Sequence, residues 1–219
     1  MSPHRNSLVR RWSAVLLVVA TTGCASATTP APTPGPASTD RDSVPYRAHE
    51  HLQKVWLAEG FSIQRHQSLL VLEPRAEVAK LNADGVENLR WARGVLRDEV
   101  VKALRTRRVF PAVALTSSEL APGIRPLRLE TTIIEYEKGG GGARFFAGAY
   151  GAGQPVIRVR GRVVDGERPV LAFDARRSGD SGLSRAFGGY RSDRAIQEED
   201  IRDLASDFAE FLIRTSSTR

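Results

Sequence analysis

The segment VIRVRGRVVDGERPVLAFDARR, Val156–Arg177, decides the fold, because it predicts two strands joined by a tight turn. Its first half alternates apolar or small residues with arginines, in the order Ile157, Arg158, Val159, Arg160, Gly161, Arg162, Val163. Its second half places Leu171, Phe173 and Ala175 in alternation with Asp174 and Arg176. Between the halves, Asp165–Arg168 supplies turn residues. An alternation of period two predicts an antiparallel hairpin with one buried face.

The same alternation predicts the register of this hairpin. A slip by one residue would move one apolar set into water. We therefore expect Val163 opposite Leu171 and Arg160 opposite Asp174, with a three-residue loop, Gly166–Arg168, that holds one residue at positive φ.

Three arginines on one strand face, Arg158, Arg160 and Arg162, have two interpretations. As function, they form a basic patch that contacts an anionic polymer or a lipid headgroup. As structure, they form the solvated side of a half-buried sheet, with Asp174 and Glu130 as cross-strand partners. The sequence favours the structural interpretation.

Upstream of the hairpin, the pattern predicts three more strands and a helix. Alternation over Leu127–Ile133 indicates a strand, and the apolar run Ser68–Pro74 indicates a buried central strand. Val109–Leu115 indicates a further strand, in which Pro111 suggests an edge position or an irregular start. A helix is predicted to start at the capping box Asp84–Glu87. Its apolar stripe consists of Leu89, Ala92, Leu96, Val100 and Leu104.

The two ends of the folded part both show helical spacing. A C-terminal helix is predicted from the stripe Ile201, Leu204, Ala205, Phe208 and Leu212. Weak helical spacing is also present over Tyr46–Phe61. The predicted fold is α/β (α+β): a two-layer sandwich with an about five-stranded mixed sheet, an antiparallel C-terminal hairpin and two main helices on one face. Residues 46–219 form this single globular domain.

The first 23 residues have the order of a secretory signal: Arg5, Arg10 and Arg11, a short apolar stretch, then small residues. That stretch is shorter than the roughly 20 residues of a membrane span. Thr22-Gly23-Cys24 resembles the end of a bacterial lipobox, which implies that Cys24, the only cysteine, is the lipidated first residue of the mature chain. The alternative is cleavage after Ala27, which would release a soluble periplasmic protein.

Residues 24–45 have the composition of a flexible tether, since this Pro-, Thr- and Ala-rich stretch has almost nothing to bury. Loss of the signal arginines lowers the formal net charge from +7 to about +4. This mild charge and the export signal argue against nucleic acid as a partner. They favour the membrane, reached through Cys24, with an envelope protein or an anionic envelope polymer as partner.

The order of these elements resembles domain-of-unknown-function family 4410. The residues that carry the resemblance are LLVLEP, RLETTIIEYEKG and GARFFAGAYGAGQPVIRVRGRVVDGERPVL, within Ser68–Ile213. The resemblance implies an envelope protein with the fold of the curli-secretion lipoprotein and of the TolB N-terminal domain. It implies no catalytic residue.

The glycine-rich segment Gly139–Gly153 fits neither the Rossmann nor the Walker pattern, because Val156 replaces the third glycine and Gln154-Pro155 replaces Lys-Ser/Thr. An inter-strand loop is the simpler interpretation. The alternative is a contact tip that presents Phe145, Phe146 and Tyr150 to a partner or a membrane surface, unless the two phenylalanines fold back and close the end of the core.

Other candidate chemistry is weak. His49 and His51 form an H-x-H pair without further ligands, so we expect solvated polar residues. Ser178–Gly182 contains serines and an acid but no base, and predicts a turn.

We expect no catalytic residue, metal or cofactor. The leading hypothesis is a non-enzymatic, outer-membrane-anchored periplasmic lipoprotein that acts as a membrane-tethered binding or assembly module. The alternatives are an oligomeric secretion or pore component, and an envelope hydrolase using carboxylates such as Asp180 or Glu199.

Overall fold

The computed structural model describes residues 44–140, 153–179 and 192–217, which form eight strands and two long helices. The strands are β1 Arg47–His49, β2 Gln53–Leu57, β3 Ser68–Val71, β4 Arg75–Ala76, β5 Ala112–Ala114, β6 Leu127–Glu137, β7 Val156–Asp165 and β8 Arg168–Ser178. The helices are α1 Ala83–Thr106 and α2 Asp193–Ser217. Two 3₁₀ turns lie at Ile63–Arg65 and Ser117–Glu119.

All strands belong to one mixed sheet in the order β1-β2-β8-β7-β6-β3-β5, with β4 beside β6. The run from β1 to β6 is antiparallel, whereas β3 is parallel to both β5 and β6. The prediction of a two-layer α+β fold with a mixed sheet is confirmed. The predicted count of about five strands is too low, because β1 and β4 have only three and two residues and the burial along β2 does not alternate.

The β7–β8 hairpin has the predicted register. Val163 pairs with Leu171 and Arg160 with Asp174. The predicted three-residue loop is wrong: Asp165 pairs with Arg168, which leaves the two-residue turn Gly166-Glu167. A bulge between Val163 and Val164 takes up the extra residue. Gly166 has φ 62°, so the expected positive φ is present.

The two helices cover one face of the sheet and enclose the core with it. Every residue of both predicted apolar stripes is buried. From the sheet, Leu129, Val159 and Leu171 are 0% exposed. The predicted capping box is wrong, since α1 is capped by Asn82, whose side chain accepts a hydrogen bond from the Gly85 N–H at 2.8 Å. Asp84 instead occupies the first turn.

The entry segment is a β-hairpin, which corrects the weak helical prediction over Tyr46–Phe61. Strand β2 pairs with β8 and places Val55 opposite Phe173 in the core. The helical spacing of Leu52, Val55 and Trp56 was coincidental, because pairing with the edge of β8 satisfies the backbone and buries Val55 as a strand residue.

Candidate functional site

The sheet face opposite the helices, called the open face from here on, carries most of the charged strand residues. Its side chains alternate with the buried ones along β6 and β7, whereas on β8 the residues Val170–Ala175 are buried on both faces. They include Arg128, Glu130, Thr132, Arg158, Arg160, Arg162, Asp174 and Arg176. The sequence prediction of three arginines on one strand face therefore matches the observed strand.

Asp174 is the centre of the charge network on the open face. Its two carboxylate oxygens accept hydrogen bonds from Arg158 Nε at 2.7 Å and Arg158 Nη2 at 2.8 Å. Asp174 is only 4% exposed, since arginine side chains lie over it. The hydrogen bonds to this carboxylate raise the pKa of the Arg158 guanidinium above its ordinary value. The pair is a bidentate ion pair that water reaches mainly from the arginine side.

A second pair flanks this centre. Arg162 Nε donates to Glu130 Oε2 at 2.8 Å, across the β6–β7 pairing. On the other side, Arg176 contacts Glu135 at 3.1 Å. Asp174 and Glu130 are thus cross-strand partners of the arginines, as the structural interpretation predicted. Much of the basic patch is neutralised within the sheet.

Arg160 is held differently from its two neighbours on β7. Its Nη2 lies 3.8 Å from Asp174 Oδ2, which is an ion-pair distance but too long for a hydrogen bond. Its side chain is 41% exposed. At this distance the Arg160 guanidinium makes no hydrogen bond to Asp174, so it keeps donors available to a ligand.

Arg160 belongs to a lateral row that crosses three strands. Arg75 on β4 pairs with Thr132 on β6, and Thr132 pairs with Arg160 on β7. Arg75 is exposed, and its side chain has no ion-pair or hydrogen-bond partner among the described residues. A groove of about 240 Å³ lies along this row, with Tyr46 and Glu77 also in its wall.

The two histidines of the H-x-H pair serve the β1–β2 turn. His49 Nδ1 accepts hydrogen bonds from the backbone N–H of His51 at 3.3 Å and of Leu52 at 3.2 Å. The His49 ring packs edge-on against Phe211, with centroids 5.0 Å apart. Burial lowers the pKa of His49 below its ordinary value, and the neighbouring His51 lowers it further. His49 is therefore a turn-capping residue and not only a solvated one.

Two carboxylates at the start of α2 differ in their burial. Glu199 is half-buried, while Asp200 is 2% exposed. Nearby, the Tyr136 hydroxyl donates to Gln197 Oε1 at 3.0 Å, and burial raises the Tyr136 pKa. Within residues 44–140, 153–179 and 192–217, no group of three His, Cys, Asp or Glu side chains is placed to hold a metal ion.

Several sequence predictions lie outside the described residues. They are the lipidation site Cys24, the contact-tip residues Phe145, Phe146 and Tyr150, and the carboxylate Asp180. In the described part of the chain, neither helix is apolar enough over a bilayer-spanning length to cross a membrane.

The sequence did not reveal two members of the lateral row as site residues. Thr132 lies in the predicted strand, and the alternation there predicts on which face of the sheet it lies. It does not predict that Thr132 belongs to a candidate site. Arg75 follows LLVLEP directly and shows no period, because β4 has only two residues. The exposed arginine after a proline-terminated strand was the one available signal.

No protein-family model matches the chain, and no curated protein matches it. The chain is distantly similar to a PelC dodecamer structure from Paraburkholderia phytofirmans, with 14% identity, a TM-score of 0.42, and 69% of this chain and 96% of that chain covered. It is also similar to protein XCC0632 from Xanthomonas campestris, described with family model DUF330, with 16% identity, a TM-score of 0.40, and 73% and 90% covered.

A third similar structure is a protein from Caulobacter crescentus CB15 described as a candidate lipoprotein, with 13% identity, a TM-score of 0.34, and 68% of this chain and 92% of that chain covered. All of these TM-scores are below 0.5, so the similarities carry no inference about ligand, partner or assembly. The resemblance to family 4410 is not confirmed by a family model and stays a prediction.

Proposed function

We propose that the protein is a lipid-anchored lipoprotein of the cell envelope whose folded domain is a non-enzymatic binding or assembly module. The observation that carries the proposal is the place of Cys24. This single cysteine follows a charged and then apolar N-terminus, and a Pro-, Thr- and Ala-rich tract separates it from Val44, where the described structure begins. An acylated cysteine followed by a tether holds a domain near a membrane without fixing its orientation.

The geometry of the folded domain supports a binding role. One face of the sheet is used for the core, while the open face presents a continuous set of charged side chains and a groove. The charges on this face are held by ion pairs between strands, so the surface is ordered before any partner arrives. Such preorganisation lowers the entropy that a binding surface loses on association.

Acylation is tested by the intact mass of the protein from the membrane fraction. We expect a mature chain that starts at Cys24 and carries a diacyl or triacyl adduct. Cys24→Ser should abolish both the adduct and the membrane association, whereas the control Ser26→Ala, two residues away, should retain them. An unmodified mature chain that begins at Thr28 would contradict the anchor and would support a soluble periplasmic protein.

The alternative of an oligomeric secretion or pore component is separated by mass. PelC, one of the similar structures, is described as a dodecamer. That description concerns PelC and not this chain. In this chain, Arg105 donates to the Val113 carbonyl on the edge strand β5, with Nη2 at 2.7 Å, which blocks one acceptor that strand addition would need. A monomeric mass in detergent favours the binding module, and a ring-sized mass favours the alternative.

A further inference from the structure

We propose that the groove on the open face binds a carboxylate group of an acidic polysaccharide, with Arg75 and Arg160 as the two cationic contacts and Thr132 between them. The inference rests on the proposed binding function and names the ligand class of that module. It depends on the placement of side chains in the folded domain and is independent of Cys24.

The lateral row places two guanidinium groups on either side of one hydroxyl. Arg75, Thr132 and Arg160 are successive partners across β4, β6 and β7. Neighbouring strands lie about 4.8 Å apart, so the two arginine Cα atoms are separated by about 10 Å. Arginine side chains are long enough to reach toward Thr132 from both sides. A carboxylate bound there would accept hydrogen bonds from two planar, permanently charged donors.

The guanidinium groups of the lateral row, unlike those of neighbouring arginines, make no hydrogen bond to a carboxylate of the sheet. Arg158 and Arg162 are hydrogen-bonded to Asp174 and Glu130 at 2.7–2.8 Å. Arg160, in contrast, is 3.8 Å from the nearest carboxylate oxygen. Arg75 contacts no acid in the described part of the chain. Within the described residues, the open face therefore has two arginines whose side chains make no hydrogen bond, and both line the groove.

The acids in the groove wall favour a sugar over a more highly charged ligand. Glu73 is paired with Arg93 at 2.7 Å and Glu130 with Arg162 at 2.8 Å, but Glu77 has no side-chain partner among the described residues. A free carboxylate repels a phosphate, which carries a charge of about −1.5 to −2. It accepts hydrogen bonds from sugar hydroxyls instead.

Tyr46 adds an aromatic ring to the same groove. Such a ring offers an apolar body with a polar tip, which suits the mixed faces of a pyranose. The volume of about 240 Å³ is below the roughly 300–1,000 Å³ of pockets for drug-sized ligands. The groove therefore fits about one sugar ring that carries one carboxylate.

The test uses the full mature protein in detergent and titration calorimetry with oligogalacturonate as the probe. Methyl-esterified oligogalacturonate is the matched ligand, since it has the same ring but no charge. Arg75→Gln and Arg160→Gln should each weaken binding about tenfold or more, because each removes hydrogen bonds to a charged group. Thr132→Val should weaken it by a smaller factor.

The control variant is Arg90→Gln, because Arg90 is an exposed arginine on α1, in the helix layer that covers the other face of the sheet. It should bind oligogalacturonate like the parent protein, and the methyl ester should bind to none of the variants measurably. Thermal unfolding of each variant separates lost binding from lost folding.

The inference would be overturned by no binding of oligogalacturonate to the parent, by equal losses in Arg90→Gln and Arg160→Gln, or by equal binding of the methyl ester. Binding of poly-glutamate with the same affinity would also overturn it, because the site would then recognise an acidic peptide. None of these outcomes changes the mass of the mature protein, so the proposed lipid-anchored module would fail separately, through the acylation measurement.

Discussion

Replacing Asp174 with asparagine tests whether the charge network stabilises the fold. The change keeps the size of the side chain but removes the charge that faces Arg158 and Arg160. Hydrogen bonds to charged groups contribute about 1.5–3 kcal/mol, and breaking a buried pair costs about 3–5 kcal/mol. Because the Arg158 side chain is 34% exposed, water screens the remaining charge and the lower values apply. We expect a loss of about 2 kcal/mol in the free energy of unfolding.

The assay is urea unfolding of the mature chain with Cys24→Ser, where a lower midpoint at constant slope reports lost stability. For a domain of this size, about 2 kcal/mol corresponds to a fall in Tm of about 4–8 °C. Glu135→Gln is the matched control, since it removes the more exposed pair with Arg176 and should cost less than about 1 kcal/mol. A double-mutant cycle with Arg158→Gln should show a coupling energy between the two positions. If Asp174→Asn costs no more than Glu135→Gln, the reasoning is refuted.

Three further predictions concern packing, pH and the tether. Gly161→Ala should lower the free energy of unfolding by about 1–3 kcal/mol, because the added Cβ would overlap the Phe173 ring. Adding Phe173→Leu to the same chain should restore part of this free energy, as measured by urea unfolding. Burial lowers the pKa of His49 in the folded state, so the unfolded chain binds the proton more readily. The stability that neutral His49 contributes is therefore complete above the unfolded pKa of about 6.5 and is lost as the pH falls below that value. Urea unfolding midpoints measured from pH 7.5 to 5 should therefore fall less in His49→Asn than in the His66→Asn control. An equal fall of the midpoint with pH in both variants would contradict this role of His49. Deletion of residues 28–43 should leave Tm within about 1 °C of the parent, because the tract has no apolar face to bury, and a fall of many degrees would mean that it docks on the domain.

The sequence predicted best those elements whose pattern is local and periodic. The alternation along β7 and β8 identified the buried face and, together with the turn, the register, because a slip by one residue would put Val159 and Phe173 on opposite sides. The two helices were equally clear from their apolar stripes. The β1–β2 hairpin was missed since its position depends on a long-range pairing, Val55 with Phe173, that no local spacing reports.

The candidate site was predicted in part for the same reason. Period two placed Arg158, Arg160 and Arg162 on one face and identified Asp174 and Glu130 as their partners. It did not show that Asp174 binds Arg158 diagonally and leaves Arg160 at 3.8 Å. Nor did it bring Arg75 beside Thr132, because a two-residue strand gains its neighbour only through the parallel pairing with β6.

The most direct test of a membrane-tethered binding module is photo-crosslinking in cells from a residue on the open face. A photoreactive amino acid at Thr132, in the full chain with Cys24 intact, should give a defined crosslinked species. The same amino acid at Arg90, on the helix layer, should not. We expect Arg160→Gln and Cys24→Ser each to reduce the Thr132 adduct. Equal crosslinking from Thr132 and Arg90, or a Thr132 adduct that persists in both variants, would contradict the account.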